Sequence, residues 1–349
     1  MSITNKQLPL IQVKNLKTYF FLEEGTVKAV DGVDLAINRG GTVGIVGESG
    51  CGKSVTAYSM VQLVSRPGKV VSGEAIFYRR PAGNDKSSQI ETIDLLKLPA
   101  NGPEMRKIRG GEISMIFQEP MVSLSPVHTI GDQISENVLL HFDVSKKEAL
   151  AQAASMLGLV GIPKPETRLN TYPFQLSGGM RQRAMIALAL ICRPSLLIAD
   201  EPTTALDVTT QAQIIELIGK LQNDFGMAVM MITHNLGVVA EMCEEVVVMY
   251  LGEVVEHAPV DPLFHDPLHP YTRALLHSIP VLGASKGIRL EPIEGVVPDP
   301  YNRPTGCPFH PRCSRFIPGR CDVEHPALFK LADGREVRCI LYENQAKGD

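Results

Sequence analysis

Tryptophan is absent from this 349-residue chain, and aromatic side chains make up only 5% of it. Proteins that hold single-stranded nucleic acid stack bases on such rings, so their scarcity argues against that role. An excess of either charge is missing too. The 34 Lys and Arg nearly balance 38 Asp and Glu, with a net charge of −4 and an isoelectric point near 6.2. A basic footprint for wholesale nucleic-acid binding is therefore lacking. No apolar run approaches the ~18 residues that a membrane-spanning helix needs; the best, Ala184 to Cys192, is stopped by Arg193 and Pro194. The first residues scatter Lys6, Lys14 and Lys17 among polar neighbours, without the apolar centre of a signal peptide. These absences lead to the expectation of a soluble, cytoplasmic chain whose membrane role is at most peripheral. Internal repeats, low-complexity tracts and heptad-rich insertions are also lacking.

What is present is ordinary globular composition, 44% hydrophobic and 21% charged, enough for one large domain with an appendage or for two domains. Ile11 to Phe21 and Val27 to Ile37 read as strands from their β-branched and aromatic residues. Thr42 to Val46 reads as a buried strand that feeds a glycine-rich turn and a helix over Ser54 to Val64. Arg79 to Ser88 is polar and suits an exposed loop. Strand character returns at Glu112 to Phe117, and Ile130 to Gly158 has helical spacing. Further on, helices are expected over Met180 to Cys192 and Thr209 to Phe225, and strands over Ser195 to Ala199, Met227 to Ile232 and Val246 to Tyr250. Strands alternating with helices imply a parallel sheet covered on both faces. Beyond Gly252 proline becomes dense and periodicity fades, which places a boundary near Ala258 and divides the chain into residues 1–258 and 259–349.

The run from Gly47 to Ser54 matches G-x-x-x-x-G-K-[ST] in full and sits between a strand and a helix. Its glycines let backbone N–H groups turn inward onto phosphate oxygens. Gly47, Ser49, Gly50, Cys51, Gly52, Lys53, Ser54 and Val55 are the expected nucleotide-binding residues. Lys53 supplies a point charge to the β- and γ-phosphates, and Ser54 offers a hydroxyl to Mg²⁺. The following helix points its positive end at the same anion. Cys51 is a small filler with no catalytic part. Leu196 to Asp200 is an apolar strand ending in a carboxylate, with Glu201 next. Asp200 is placed to hold Mg²⁺ and Glu201 to polarise the water that attacks the γ-phosphate. Buried strands often end in acidic caps, so this pair gains its weight from its company.

That company is Leu176-Ser-Gly-Gly-Met-Arg-Gln-Arg183, which resembles the signature of ABC-type ATPases. The resemblance covers about residues 10–257. It implies a P-loop NTPase core of ABC type, α/β in class, with a β-rich N-terminal subdomain and a helical subdomain at about 121–173. It further implies that Ser177, Gly178 and Gly179 grip the γ-phosphate held by an opposite subunit. Gln118 resembles the Q-loop glutamine, which senses Mg²⁺ and the membrane partner. Ala205-Leu-Asp207 resembles the D-loop, and His234 the switch histidine. For the adenine ring the family uses an aromatic of the N-terminal strand; counting from Leu16 favours Phe20, with Tyr19 as the alternative, and either is also a residue that packs in a sheet.

Seven cysteines are unevenly spread, and Cys307, Cys313, Cys321 and Cys339 crowd into the C-terminal stretch. Their separations of five, seven and seventeen residues contain no C-x₂₋₄-C pair of the usual zinc module. His269-Pro-Tyr-Thr272 and Gly306-Cys-Pro-Phe-His-Pro-Arg-Cys313 resemble the C-terminal extension of oligopeptide and dipeptide importer ATPases. Spacing and resemblance together favour a structural 4Fe–4S cluster on the four cysteines, with zinc or four free thiols as alternatives. Arg312, Arg315, Arg320 and Arg338 are expected to offset the cluster's negative charge.

The resemblance implies an ATP-hydrolysing subunit that powers solute import from the cytoplasmic face of the inner membrane. Its implied partners are a second ATPase subunit, of the same or a related chain, two transmembrane permease subunits and, indirectly, an extracytoplasmic solute-binding protein. Di- or oligopeptides are the expected cargo. Oligosaccharide or nickel uptake, export, or a non-transport ABC ATPase of DNA maintenance or translation are the competing readings.

Overall fold

The computed structural model describes residues 8–80, 90–118, 123–204, 206–278 and 293–345. The loop expected after Arg80, Glu119 and Pro120 beside the Q-loop, the first two residues of the expected helical subdomain and Ala205 of the expected D-loop lie outside the described residues.

The chain opens with strands β1 (Ile11–Leu22) and β2 (Gly25–Ile37). β3 (Thr42–Val46) is buried at every position, as its unbroken apolar run requires. Helix α1 (Lys53–Met60) follows the glycine turn. It ends before the expected Val64 because Val61 leaves helical geometry and Gln62 takes φ 53°. Then come β4 (Gly68–Arg79), β5 (Glu91–Asp94), α2 (Pro103–Gly111) and β6 (Ile113–Ile116). The sequence reading includes none of β4, β5 and α2, although Pro103 at the first helical position with Glu104 behind it is a helix-start signal.

The helical stretch expected over Ile130 to Gly158 is two helices, α3 (Ile130–His141) and α4 (Lys146–Leu159). Phe142 turns extended, and Ser145 opens the next helix with a capping box. Its hydroxyl accepts from the Glu148 amide at 3.3 Å, and the Glu148 carboxylate accepts from the Ser145 amide at 2.8 Å. The pattern S-x-x-E was visible in the sequence. After the short α5 (Pro165–Arg168) come α6 (Gly178–Leu190), β7 (Leu196–Asp200), α7 (Val208–Phe225) and β8 (Ala228–Ile232). α7 buries Ile214, Ile215, Leu217, Ile218 and Leu221, an apolar stripe at helical spacing. It stops at Gly226, whose φ of 64° few other residues adopt readily. The remainder is α8 (Leu236–Met242), β9 (Glu245–Tyr250), β10 (Glu253–Pro259), α9 (Val260–His265), α10 (Pro270–His277), β11 (Phe329–Lys330) and β12 (Glu336–Val337).

These elements form two compact units, each drawn from separate stretches of chain. One comprises Met1–Leu10, Ile37–Thr42 and Lys97–Ile232. Its strands run in the order β8-β7-β6, and both pairings are parallel. β7 and β8 are buried at all five positions, each large apolar side chain stabilising the fold by about 1.5–3 kcal/mol. Helices α2 to α7 accompany them.

The other unit comprises Ile11–Ala36, Val43–Leu96 and Thr233–Asp349. It holds the sheet β2-β1-β4-β5, in which β1–β4 and β4–β5 are antiparallel, the β-rich N-terminal part expected. It also holds the strands β11-β12-β10-β9-β3, with β3 and β9 parallel. Periodicity does not fade after Gly252, since β10 continues the sheet antiparallel to β9. The C-terminal stretch is fastened to β10 by two buried or half-buried groups. Glu256 accepts from the amides of Leu268 and His269, both at 2.8 Å. His257 bridges Glu245 at 3.1 Å and Glu336 of β12 at 3.5 Å. The fold is thus mixed α/β, with parallel pairs where the sequence implied them.

Candidate nucleotide site

The phosphate loop leaves the end of β3 and enters α1. Gly47 and Gly52 take φ of 147° and 100°. A Cβ at Gly47 would collide with the Met249 carbonyl, and one at Gly52 with the Ala29 carbonyl, so backbone passes where a side chain cannot. Around Gly50 there is open space within 4 Å. Helix α1 begins without a side-chain cap and without an acidic residue in its first turn, which suits an incoming anion. Lys53 is buried, and its ammonium donates to the Gly47 and Glu48 carbonyls at 2.9 and 3.0 Å. Cys51 is buried, and burial pushes its thiol pKa up, in keeping with a filler.

His234 belongs to the same unit. The Thr233 amide donates to the Ile45 carbonyl at 3.4 Å, so the histidine leaves beside β3, whose end carries the phosphate loop. Its side chain is exposed. Of the two aromatics, Tyr19 is already engaged. It donates to Asp31 at 2.8 Å under the Lys28 ammonium, and burial together with that bond pushes its pKa up to about 12. The Phe20 ring lies so close to Gly68 that a Cβ there would meet it at 2.7 Å.

The acidic pair forms in the other unit. Asp200 is fully buried at the end of β7. Glu201 takes φ 47°, a strained position for a glutamate, held by its amide donating to the Ile232 carbonyl at 2.8 Å. One oxygen of its carboxylate accepts from Gln118 Nε2 at 3.1 Å and from Thr204 Oγ1 at 2.9 Å. Sequence brought Gln118 and Glu201 to attention separately, and the fold joins them. Thr204 was missed, because only the turn after β7 brings its hydroxyl to the glutamate.

Ser177 caps α6, its hydroxyl accepting from the Met180 amide at 3.4 Å, and Ser177 and Gly178 are exposed. Gly179 sits with its Cα side against Thr210. Asp207 caps α7 by accepting from the Thr210 amide at 3.0 Å and hydroxyl at 2.6 Å, bonds that hold its carboxyl below the usual range. Beyond any nucleotide contact, it therefore has a structural duty.

The four C-terminal cysteines line one small pocket, together with Arg315. Amides donate to two of the sulfurs, Arg315 N–H to Cys313 and Ile317 N–H to Cys321, each at 3.3 Å. Burial pushes the Cys307 thiol up to about 12 and that of Cys339 to about 11. Among the described residues, however, no three His, Cys, Asp or Glu side chains gather as a group that could hold a metal ion. Of the four arginines expected to offset a cluster's charge, three have carboxylate partners of their own. Arg315 alone of the four lines the pocket. Arg312 is taken by Glu48, Arg320 by Glu324 and Glu343, and Arg338 by Glu253 and the Val254 carbonyl, because carboxylates nearer to them win.

A glycine turn that opens a helix around a buried lysine, with an acidic pair ending a buried parallel strand, defines a P-loop nucleotide hydrolase. Residues 30–204 match the family model described as ABC transporter, and residues 255–321 that of the oligopeptide/dipeptide transporter C-terminal region. The chain belongs to the ABC transporter family, in its oligopeptide/dipeptide group. It is 50% identical to the oligopeptide transport ATP-binding protein AppD of Bacillus subtilis, over 96% of this chain and 98% of that protein. It is 46% identical to the dipeptide transport ATP-binding protein DppD of Escherichia coli, over 95% of this chain and 96% of that one. Among solved structures it resembles the dimeric ATP-binding cassette MJ0796 bound to ADP and phosphate. The TM-score is 0.60 and the identity 29%, over 72% of this chain and 98% of that one.

Proposed function

We propose that this chain binds and hydrolyses ATP as one member of a head-to-tail pair and thereby powers import of di- or oligopeptides through two transmembrane permease subunits. The observation that carries the chemistry is Glu201, strained in backbone and steered in side chain by Gln118 and Thr204. Lys53 and the amides from Ser49 to Val55 take the triphosphate. Ser54, Asp200 and Gln118 are the residues that would hold Mg²⁺, which would supply positive charge to the phosphate oxygens. Glu201 accepts the proton of the attacking water as its oxygen bonds to the γ-phosphorus and the bond to ADP breaks. His234 contacts the γ-phosphate, and Phe20 supports the adenine, with Tyr19 as the alternative. Ser177, Gly178 and Gly179 close on the partner's nucleotide, and Asp207 lies along the same face. Nucleotide thus favours the closed pair and product loss the open one.

The peptide assignment is supported by the two relatives and the matched C-terminal region. Peripheral attachment at the cytoplasmic face is the reading that the likeness to the transport ATP-binding proteins supports; no helix among the described residues is long and apolar enough to cross a membrane. The region 121–173 supplies the docking surface for the permease. It exposes Val127, Leu140, Phe142 and Leu159 on or beside α3 and α4, the apolar anchors that such a contact uses. In vesicles carrying this chain with its permease, partner ATPase and solute-binding protein, adding peptide should raise ATP turnover several-fold. Stimulation by an oligosaccharide or nickel instead would overturn the peptide assignment.

Residues 259–349 are read as an extension whose four cysteines hold a structural 4Fe–4S cluster. The shared pocket and the two N–H···S bonds support this. Anaerobically purified protein should be brown and carry iron and sulfide. Colourless protein with zinc would refute the cluster.

A further inference from the structure

We infer that Tyr271 and Arg312, far along the chain from the phosphate loop, are positioning residues that hold the loop in its binding shape through Glu48. The inference rests on the reading of that loop as an ATP site. Glu48 is the first variable residue of the motif, and each of its polar parts is taken. Its amide donates to Tyr271 Oη at 2.8 Å. Its carbonyl accepts from Lys53 at 3.0 Å. Its two carboxylate oxygens accept from the two terminal nitrogens of Arg312, at 2.7 and 3.0 Å.

Arg312 is itself fixed from several sides. Its side chain is only 3% exposed. Its Nε donates to the Glu294 carbonyl at 3.0 Å. Its guanidinium lies 5.9 Å from the Tyr250 ring centre and 6.0 Å from that of Phe309. Tyr250, Tyr271 and Phe309 pack on one another with ring centres 4.8–5.4 Å apart. A parallel two-bond contact fixes the plane as well as the position of the carboxylate, and it is anchored here on a rigid aromatic base.

This matters because glycine-rich backbone is otherwise free to sample many shapes, and ordering it on binding costs affinity. With its amide committed to Tyr271, Glu48 is not a phosphate donor. It is the pivot from which the loop opens at Gly50. A lysine at 312 keeps the charge and loses the second bond and the plane.

The test uses the full-length chain and measures MgATP affinity, KM and kcat for wild type, Glu48→Gln, Arg312→Gln, the double variant and Arg312→Lys. Unfolding without nucleotide is followed in parallel. Each glutamine variant should weaken ATP binding roughly tenfold, through KM more than kcat. The double variant should be no worse than the weaker single one, because both act through one contact, and Arg312→Lys should fall between. Wild-type affinity in folded Arg312→Gln, or losses that multiply in the double variant, would overturn the inference. If Arg312→Gln fails to fold, Glu48→Gln and Tyr271→Phe with unchanged KM decide against it in the same way. Absence of saturable MgATP binding by the wild type itself would instead remove the ATP reading, and the inference with it.

Discussion

Glu201→Gln should bind MgATP with near wild-type affinity and hydrolyse it at least about a hundredfold more slowly, the usual scale for a lost general base. The argument is geometric. Gln118 and Thr204 both donate to the same carboxylate oxygen, Oε2, at 3.1 and 2.9 Å. An amide oxygen placed there keeps both bonds and keeps the side chain aimed. The second oxygen becomes an NH₂ group, which accepts no proton from water. Binding contacts at the phosphate loop are untouched, so affinity and turnover should separate cleanly. The same variant should accumulate as a nucleotide-bound pair on gel filtration with MgATP, because the step that opens the pair is blocked. Phosphate release above a tenth of the wild-type rate would remove Glu201 as the water-activating residue and return it to the role of a strand-end cap.

The second large effect is expected at Ser177. Arg in its place should leave the chain's own loop able to bind ATP and should reduce turnover at least about a hundredfold, comparable to loss of a transition-state donor. Ser177 is exposed at the start of α6, so a long side chain fits in the isolated chain and obstructs only what approaches from outside. Some of the change is local, because loss of the cap costs about 1 kcal/mol of helix stability, and a melting curve separates that share. Mixing Ser177→Arg with Lys53→Ala is the sharper measurement. Each alone is inactive, yet in mixed pairs of this chain the intact loop of one meets the intact serine of the other. Part of the turnover should therefore return. Full activity of Ser177→Arg, or of a chain held monomeric, would exclude the shared site.

Much of this is legible in the sequence. The phosphate loop is a contiguous motif whose chemistry is local: three glycines, a lysine and a serine carry their meaning wherever the backbone turns. The apolar runs at Thr42–Val46, Leu196–Asp200 and Met227–Ile232 read as buried strands, and the structure has strands at Thr42–Val46, Leu196–Asp200 and Ala228–Ile232. Where sequence and fold differ, a local cap signal or a distant partner decides. The S-x-x-E of Ser145 to Glu148 is a local signal that starts a second helix. The arginines could not have been sorted by sequence. Beside the cysteines all four look equivalent, yet Arg312 finds Glu48 and Arg320 finds Glu324 and Glu343.

The order of residues thus determined the reaction class and its reagents, because phosphate binding depends on short-range backbone geometry and on side chains adjacent in the chain. Tertiary structure decided the pairings. Gln118 with Glu201, and Glu48 with Tyr271 and Arg312, are separated by 83, 223 and 264 residues. Charge and hydrogen-bonding capacity are carried by every such residue alike. Which donor meets which acceptor is settled only when burial of the apolar strands brings their ends together.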